Sequence, residues 1–494
     1  MIDAIKSNIT ATPFRPLLAV LWAAFWILCW MFGLSFFFAV VLGVGSWALW
    51  TSPKLQRRLG WLGVRKEKSN HVRGAKMVSQ DDLLRQFYVA KQGLTDPDDI
   101  TVALDQLKKS KQHLTDPQAF AGQIRLANIP IPRANENLHF AIAASTGAGK
   151  SVTLRGMLAD IRARGDRAIV IDNGSEFMRK FGQADDLILS PFDERTQGWD
   201  VRNEVRAKHD WLRLASSVIP DGHGSDKPWH DMAQKLFGNI GVNVGEATDN
   251  KALLEIATNY TPAQLEPILA GGSSAVLTQE GGERLLTNIR SVYASALQSW
   301  PFMKSGDFSL RDYMQGDDRR WLFIPFKESE FGVSKSMIAA WMDILVSAGL
   351  EREEGAHQTW LIIDELDTLG ALSSLISATT KLRKRGVSVV VAFQSYSQLA
   401  KTYGDDSALT LLNCFSNKLI MRSVDGETAE RLSKELGERE AWKESYSEGR
   451  NRSTTKSQQI ERLVLPSEIQ NLPDLVGYLK LAGDYPLVKV QSSL

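Results

Sequence analysis

The sequence predicts an α/β fold in which a doubly wound parallel sheet carries an inserted all-α domain and follows an N-terminal transmembrane helical hairpin. Three observations lead to this prediction. A short apolar strand runs into a glycine-rich loop and then into a helical pattern between residues 138 and 158. Later apolar runs of strand length end in polar or acidic residues, and a long helical interval separates them. A charge-free stretch lies near the amino terminus.

The length of the chain limits the number of domains, and its composition restricts the possible chemistry only weakly. A chain of 494 residues has room for two or three domains with a sizeable core. The net charge is +1 with 23% charged residues, so any nucleic-acid surface must be local. Cys29 and Cys414 are far apart, and the seven histidines form no ligand-spaced cluster. We therefore expect neither a disulfide framework nor a structural metal.

The amino-terminal region predicts a membrane anchor. No charged side chain occurs between residues 16 and 50, which is about enough for two short membrane helices at 16–32 and 34–50. Cations flank both ends, so residues 1–52 are predicted to form a hairpin whose two ends are cytoplasmic. One long tilted helix is the alternative. Residues 53–80 then form a basic juxtamembrane linker near anionic lipid.

Residues 138–152 (LHFAIAASTGAGKSV) have the order of a phosphate-binding P-loop between a strand and a helix. Gly147 and Gly149 allow a tight turn whose N–H groups face phosphate oxygens. Lys150 would contact the β- and γ-phosphates of ATP, and Ser151 would ligate Mg²⁺. The first loop position departs from the usual glycine, because Ala144 stands there. The candidate nucleotide-binding residues are Ser145, Thr146, Gly147, Ala148, Gly149, Lys150, Ser151 and Val152.

Two later strands complete a hydrolytic set. The apolar residues 360–363 precede Asp364 and Glu365, an arrangement in which Asp364 holds Mg²⁺ and Glu365 activates the attacking water. Residues 387–393 form another apolar strand and end at Gln394, the place of a polar γ-phosphate sensor in RecA-like ATPases. Asp172 also ends a strand, but no glutamate follows it, so it is the poorer acidic candidate. Together these motifs predict a RecA-like P-loop NTPase that hydrolyses ATP.

A long interval of helical patterns separates these motifs. We therefore predict a discontinuous nucleotide-binding domain at 81–185 and 305–494, interrupted by an all-α domain at 186–304. The predicted helices of the insertion cover residues 210–219, 228–244, 250–256, 262–269 and 283–297.

A basic cluster at residues 381–385 precedes the strand that ends at Gln394. Cations at the end of a surface helix match the helix dipole, which is the structural explanation. In the functional explanations, Arg383 or Arg385 acts as an arginine finger on a neighbouring subunit's ATP, or the cluster contacts DNA in a central pore.

With these motifs placed, the chain resembles the type IV secretion coupling proteins of bacterial conjugation. The resemblance covers essentially the whole chain. It is carried by the charge-free amino terminus, IPIP (129–132), ASTGAGKS (144–151), DNGSE (172–176), the helical insertion, WLIIDEL (360–366), VVVAFQS (389–395), ETAERLSKELG (427–437) and RLVLPSEIQNLP (462–473).

The resemblance implies a homo-hexameric ring of RecA-like domains beneath the bacterial inner membrane. Such a ring would receive a relaxase and its accessory proteins with DNA, contact inner-membrane type IV secretion components and lipid, and pump single-stranded DNA during conjugation. Binding of single- and double-stranded DNA with little sequence preference is expected. Lys150, Ser151, Asp364, Glu365 and Gln394 would form its hydrolytic set, and Arg383 or Arg385 the trans finger.

Two other functions remain open. One is an FtsK-type DNA translocase, which would carry a DNA-orienting winged-helix tail that we do not find after Gly437. The other is a type IV coupling ATPase that delivers protein effectors without touching DNA. The sequence of the helical insertion does not distinguish between them.

Overall fold

The computed structural model of the chain describes residues 71–91, 99–100, 102–103, 120–222, 224–369, 372–447 and 453–492. The predicted membrane hairpin and residues 53–70 of the linker lie outside the described residues. By internal contacts the chain divides into two units, one of Met1–His71 with Trp442–Ser457 and one of Val72–Ala441 with Gln458–Leu494. The second unit contains the main sheet and the candidate site.

The strands follow the apolar runs of the sequence. They are β1 (His71–Gly74), β2 (Met77–Val78), β3 (Arg125–Leu126), β4 (Ile129–Pro130), β5 (Phe140–Ala143), β6 (Arg167–Asn173), β7 (Leu187–Ile188), β8 (Leu322–Phe326), β9 (Thr359–Ile363), β10 (Val387–Phe393), β11 (Asn417–Met421), β12 (Glu438–Ser447), β13 (Ser453–Arg462), β14 (Val476–Lys480) and β15 (Leu487–Gln491).

The helices alternate with the strands on either side of a long helical region. They are α1 (Gln80–Lys91), α2 (Arg133–Glu136), α3 (Lys150–Arg164), α4 (Glu176–Phe181), α5 (Lys208–Val218), α6 (Lys227–Val244), α7 (Asn250–Asn259), α8 (Pro262–Leu269), α9 (Glu283–Ala296), α10 (Leu310–Gln315), α11 (Glu328–Leu350), α12 (Ser373–Leu382), α13 (Tyr396–Tyr403), α14 (Asp405–Cys414), α15 (Gly426–Leu436) and α16 (Pro466–Gln470). Short 3₁₀ helices occur at Val201–Glu204, Gly224–Asp226, Gly245–Ala247, Ala275–Thr278, Trp300–Phe302 and Arg383–Arg385.

The main sheet places the motif-bearing strands side by side. Its order across the described residues is β2-β15-β14-β11-β5-β10-β9-β6-β8-β7. Strand β10 therefore lies between the P-loop strand β5 and the acidic strand β9, and β6 lies on the other side of β9. All of these pairings are parallel. The carboxyl ends of β5, β10, β9 and β6 consequently meet at one edge, where ligands bind in open α/β sheets.

Both faces of the sheet are covered, which explains why its central strands are apolar throughout. Along β5, Phe140 and Ile142 belong to one buried cluster, while Ala141 and Ala143 belong to the other. The parallel order expected from the sequence holds from β11 to β7. At the other end β14 pairs antiparallel with both β11 and β15, so the sheet is mixed. Strands β1, β12 and β13 form a separate small sheet.

The five helices expected between residues 210 and 297 are present as α5 to α9. Strand β7, which is only two residues long, also lies within the predicted insertion at 186–304 and pairs with β8 at the sheet edge. The helical region is therefore held between β7 and β8. The chain segments before and after this region are joined by the buried carboxylate of Glu204. It accepts hydrogen bonds from Trp199 Nε1 at 2.8 Å and from the amide of Leu310 at 2.8 Å. Burial raises the pKa of Glu204 to about 7.

Helix α11 is, in the described part of the chain, the one helix long and apolar enough to cross a membrane. Two thirds of its most apolar window (67%) is buried inside the protein. Trp341 on this helix is buried against Trp199, with ring centroids 5.6 Å apart. These contacts are those of a core helix that packs beneath the helical region.

Candidate functional site

The P-loop has the backbone conformation of an anion-binding nest. It connects β5 to α3, and Gly147 and Gly149 adopt φ angles of +78° and +112°. These values favour glycine and turn successive N–H groups toward one concavity. Ala144 has a negative φ and is buried, and its amide donates to Phe393 O at 3.1 Å. A Cβ is therefore tolerated at the position where a glycine is usual.

The rest of the loop is fixed against the carboxyl end of β11. Ser145 donates its amide to Arg422 O at 2.8 Å and accepts from the amide of Val424 at 3.0 Å. On the other side, the amide of Leu475 donates to Ala148 O at 2.8 Å. Ser151 and Val152 lie in the first turn of α3, directly after the loop. The eight predicted nucleotide-binding residues are therefore contiguous around one turn and one helix start.

Lys150 and Asp364 come together at the carboxyl ends of β5 and β9. Lys150 Nζ donates to the backbone O of Asp364 at 3.0 Å and lies 3.6 Å from its Oδ1. That buried Oδ1 accepts no hydrogen bond. Burial raises the pKa of Asp364, and the nearby Lys150 cation opposes this effect. A buried carboxylate oxygen that accepts no hydrogen bond is a suitable ligand for a hard cation such as Mg²⁺.

Four side chains connect the P-loop to β6 across the edge of the sheet. Thr146 Oγ1 donates to Gln394 Oε1 at 3.0 Å, and Gln394 Nε2 donates to Glu365 Oε1. Asn173 Nδ2 donates to the other carboxylate oxygen, Glu365 Oε2, at 2.7 Å. The donors and acceptors follow the strand order β5, β10, β9 and β6. Gln394 and Glu365, predicted separately from sequence, are thus brought into direct contact.

Sequence reasoning missed Asn173 and Asp367 at this edge and considered Asp172 only as the poorer acidic candidate. Asn173 was seen only as part of a strand-ending DNG signal, and its contact depends on the adjacency of β6 and β9. Asp172 Oδ2 accepts from the amide of Met178 at 2.7 Å, and burial raises the pKa of Asp172 to about 6. Asp367 Oδ2 accepts from the amide of Gln394 at 3.2 Å. The signal available in the sequence for Asp367 was a third acidic residue directly after the acidic strand, in the run DELD at 364–367.

Arg383 and Arg385 lie at the amino-terminal ends of the strands, whereas the other candidates lie at the carboxyl ends. They form a 3₁₀ turn just before β10, whereas Gln394 follows its last residue. Seven strand residues separate the two ends by roughly 20 Å. Arg385 Nη1 donates to Arg352 O at 2.6 Å, and Arg383 is exposed. Within one chain the structure does not bring these arginines to the P-loop.

These features define a P-loop NTPase domain with RecA-like strand order, in which an intervening strand separates the P-loop strand from the acidic strand. The loop has the conformation of a phosphate-binding nest, Lys150 contacts Asp364, and Gln394 contacts both the loop and Glu365.

Comparisons with known proteins place this domain in a family. The profile of the type IV secretion-system coupling protein DNA-binding domain matches residues 123–493. The chain therefore belongs to the family of type IV secretion-system coupling proteins. It is 30% identical over 387 residues to the coupling protein TraD of Escherichia coli (strain K12), which covers 74% of this chain and 54% of that protein.

Solved structures agree with this assignment. The unbound conjugative coupling protein TrwBdeltaN70 superposes with a TM-score of 0.74 and 31% identity, over 86% of this chain and 93% of that one. The plasmid coupling protein TrwB in complex with ADP and Mg²⁺ superposes with a TM-score of 0.72 and 32% identity, over 86% and 94% of the two chains. The chain spans about half the length of the curated relative TraD, at 54%.

Proposed function

We propose that this protein is an inner-membrane ATPase that couples a relaxase–DNA complex to a type IV secretion channel and pumps single-stranded DNA during conjugation. The observation that carries the proposal is the hydrogen-bonded row from Thr146 through Gln394 and Glu365 to Asn173. It joins the phosphate loop to the hydrolytic carboxylate within a domain that matches a coupling-protein DNA-binding family. Nucleotide and Mg²⁺ bound to the similar protein TrwB support ATP and Mg²⁺ as ligands.

The roles of the site residues follow from their positions. Ser145 to Val152 hold the phosphates through loop and helix amides, and the Lys150 ammonium neutralises charge on the γ-phosphate. Mg²⁺ held by Ser151 and Asp364 would balance the charge that develops between the β- and γ-phosphates. Gln394 contacts Thr146 of the P-loop, so the hydrogen bond that its Nε2 donates to Glu365 would pass to a γ-phosphate oxygen when the side chain turns. The sensor role thus requires only a side-chain rotation.

Glu365 is the general base of the proposed reaction. Its Oε1 lies on the P-loop side of the carboxylate, because Gln394, which directly follows β10, contacts that oxygen. Oε1 accepts a proton from water while the water oxygen bonds to the γ-phosphorus and the bridging oxygen leaves with ADP. The burial of the strand end at Asp364 strengthens these electrostatic contacts.

Hydrolysis would be converted to movement between subunits of a homo-hexamer. Arg383 or Arg385, which project from the edge opposite to the nucleotide site, would act on a neighbour's ATP rather than on their own. Basic and polar loops around a central pore would contact DNA through its phosphates, which gives little sequence preference. Single- and double-stranded DNA, the relaxase with its accessory proteins, and inner-membrane secretion components are the proposed partners.

The proposed placement is multi-pass in the bacterial inner membrane, with the bulk of the chain in the cytoplasm. The charge-free residues 16–50 supply two helices, and the cations of the linker lie near anionic lipid. Residues 81–185 and 305–494 form the proposed nucleotide-binding domain, and residues 186–304 form the helical domain, where the relaxase would dock.

The first test removes the phosphate-binding cation. Lys150→Ala should abolish ATP hydrolysis and conjugative DNA transfer while membrane insertion stays normal, since Lys150 lies far from residues 1–52 in the chain. Turnover by the purified full chain and transfer in a mating assay are the measurements.

Lys180→Ala is the matched control, because Lys180 is an exposed lysine at the end of α4. It should behave as wild type in both assays. Normal transfer by the Lys150 variant would overturn the proposed function.

A further inference from the structure

The carboxylate of Glu365 accepts a hydrogen bond at each of its two oxygens. Gln394 donates to Oε1 and Asn173 donates to Oε2 at 2.7 Å. The two donors come from opposite sides, because β10 and β6 flank the strand that precedes Glu365. Oε1 therefore faces the P-loop and Oε2 faces away from it.

The two donors differ in what else they contact. Gln394 Oε1 also accepts a hydrogen bond from Thr146, which places this side chain beside the P-loop. An arriving γ-phosphate would therefore compete with Glu365 for the Nε2 donor of Gln394. Asn173 lies on the far side of Glu365, where no phosphate-binding residue of the P-loop contacts it. Release of Gln394 would free Oε1 and leave Oε2 bound to Asn173.

Asn173 is itself held firmly in place. It is the last residue of β6, and the amide of the next residue, Gly174, donates to Phe326 O at 2.9 Å at the end of β8. On its other side Asp172 accepts the amide of Met178 and so ties the strand end to α4. A side chain that extends from a strand end fixed in this way can orient its neighbour rather than follow it.

We infer that Asn173 is a positioning residue for ATP hydrolysis, which anchors Glu365 Oε2 so that Oε1 points to the attacking water once Gln394 turns to the γ-phosphate. The inference rests on the proposed role of Glu365 as the base. Without the anchor the carboxylate can rotate about its side-chain bonds, and the fraction of time that Oε1 spends in the reactive orientation falls. Nucleotide binding, which uses the P-loop, is unaffected.

The test is steady-state ATP turnover by the full chain in lipid nanodiscs, with Asn173→Ala, Glu365→Gln and the double variant. Asn173→Ala should lower kcat by about 10- to 100-fold and leave the KM for ATP within about twofold. In the Glu365→Gln background the same change should have little further effect, because the residue acts through that carboxylate. Asn173→Asp, which has the same shape without the amide donor, should lower kcat at least as much.

Arg179→Ala is the control, since Arg179 donates to Gly174 O in the same turn and does not contact Glu365. It should keep wild-type turnover. An increase of turnover in Asn173→Ala would show that Asn173 restrains Glu365 and would overturn the inference, as would an equal loss in the wild-type and Glu365→Gln backgrounds. If Glu365→Gln itself kept wild-type turnover, the proposed role of Glu365 as the general base would be refuted. That outcome is distinct from a failure of the inference about Asn173.

Discussion

Replacement of His139 by asparagine is expected to weaken the pH dependence of stability. His139 immediately precedes β5, is buried, and has a φ of +55°. Its Nδ1 accepts the amide of Val389 at 3.1 Å, and its Nε2 contacts Thr379 O at 2.5 Å, where it must donate. Only the neutral ring satisfies both contacts. Burial, with a contribution from the Arg383 cation, lowers the pKa of His139 to about 4.

The size of the effect follows from linkage. The ordinary pKa of histidine is 6.5, and the value in the folded protein is about 4. The unfolded chain therefore binds a proton that the folded chain excludes, and stability is lost as the pH falls from above 6.5 toward 4. Between pH 7 and pH 5 this single residue removes about 2 kcal/mol. For a unit of several hundred residues that corresponds to a decrease of roughly 3 °C in Tm.

The assay compares Tm at pH 7 and pH 5 for the wild type and His139→Asn. Asparagine tolerates the positive φ, so the variant tests the titration rather than backbone strain. It should be less stable at pH 7, because the contacts to β10 and α12 are lost, but its Tm should fall less between the two pH values. An equal decrease in both proteins would refute the assignment of a neutral buried ring.

Two further predictions concern the edge of the sheet. Burial raises the pKa of Asp172 to about 6, so its contribution to stability is complete below its ordinary value of 3.8 and is lost as the pH rises through 6. Asp172→Asn should therefore increase stability at pH 8 by up to about 3 kcal/mol, which raises Tm, and should change stability little at pH 4. A Tm difference from wild type that is the same at pH 4 and pH 8 would contradict the burial argument. Gly149→Ala should weaken nucleotide binding at least about tenfold, because its Cβ would lie 2.7 Å from Leu475 Cδ2 at a φ of +112°. Gly156→Ala, whose Cβ meets nothing within 4 Å, is the control in the same titration, and equal affinities of the two variants would argue against the steric cause.

The sequence predicted those parts of the fold that depend on local pattern. The continuous apolar run of β10 appeared with its correct ends, and the helices at 262–269 and 227–244 were predicted to within one residue. Strand β7 was missed because two residues show no periodicity. The strands at the carboxyl end, β14 and β15, were missed because their antiparallel pairing is set by tertiary contacts rather than by a motif.

The candidate site was predictable where residue type determines the chemistry. Gly147, Lys150 and Glu365 have sequence neighbours that mark them individually. The contact between Glu365 and Asn173 is different, because these residues are 192 positions apart and meet only through the strand order. Strand order depends on how the whole chain packs, and the DNG signal at Asp172 could not indicate which strand would lie beside it.

The most direct test of coupling between ATP and DNA is ATP turnover by the full chain in lipid nanodiscs, with and without single-stranded DNA, over a range of protein and salt concentrations. The proposed DNA pump predicts strong stimulation by DNA that rises with protein concentration, as subunits assemble on the strand, and falls with salt, as phosphate contacts are screened. Turnover that is indifferent to DNA would contradict DNA pumping and would favour a coupling ATPase that delivers protein effectors.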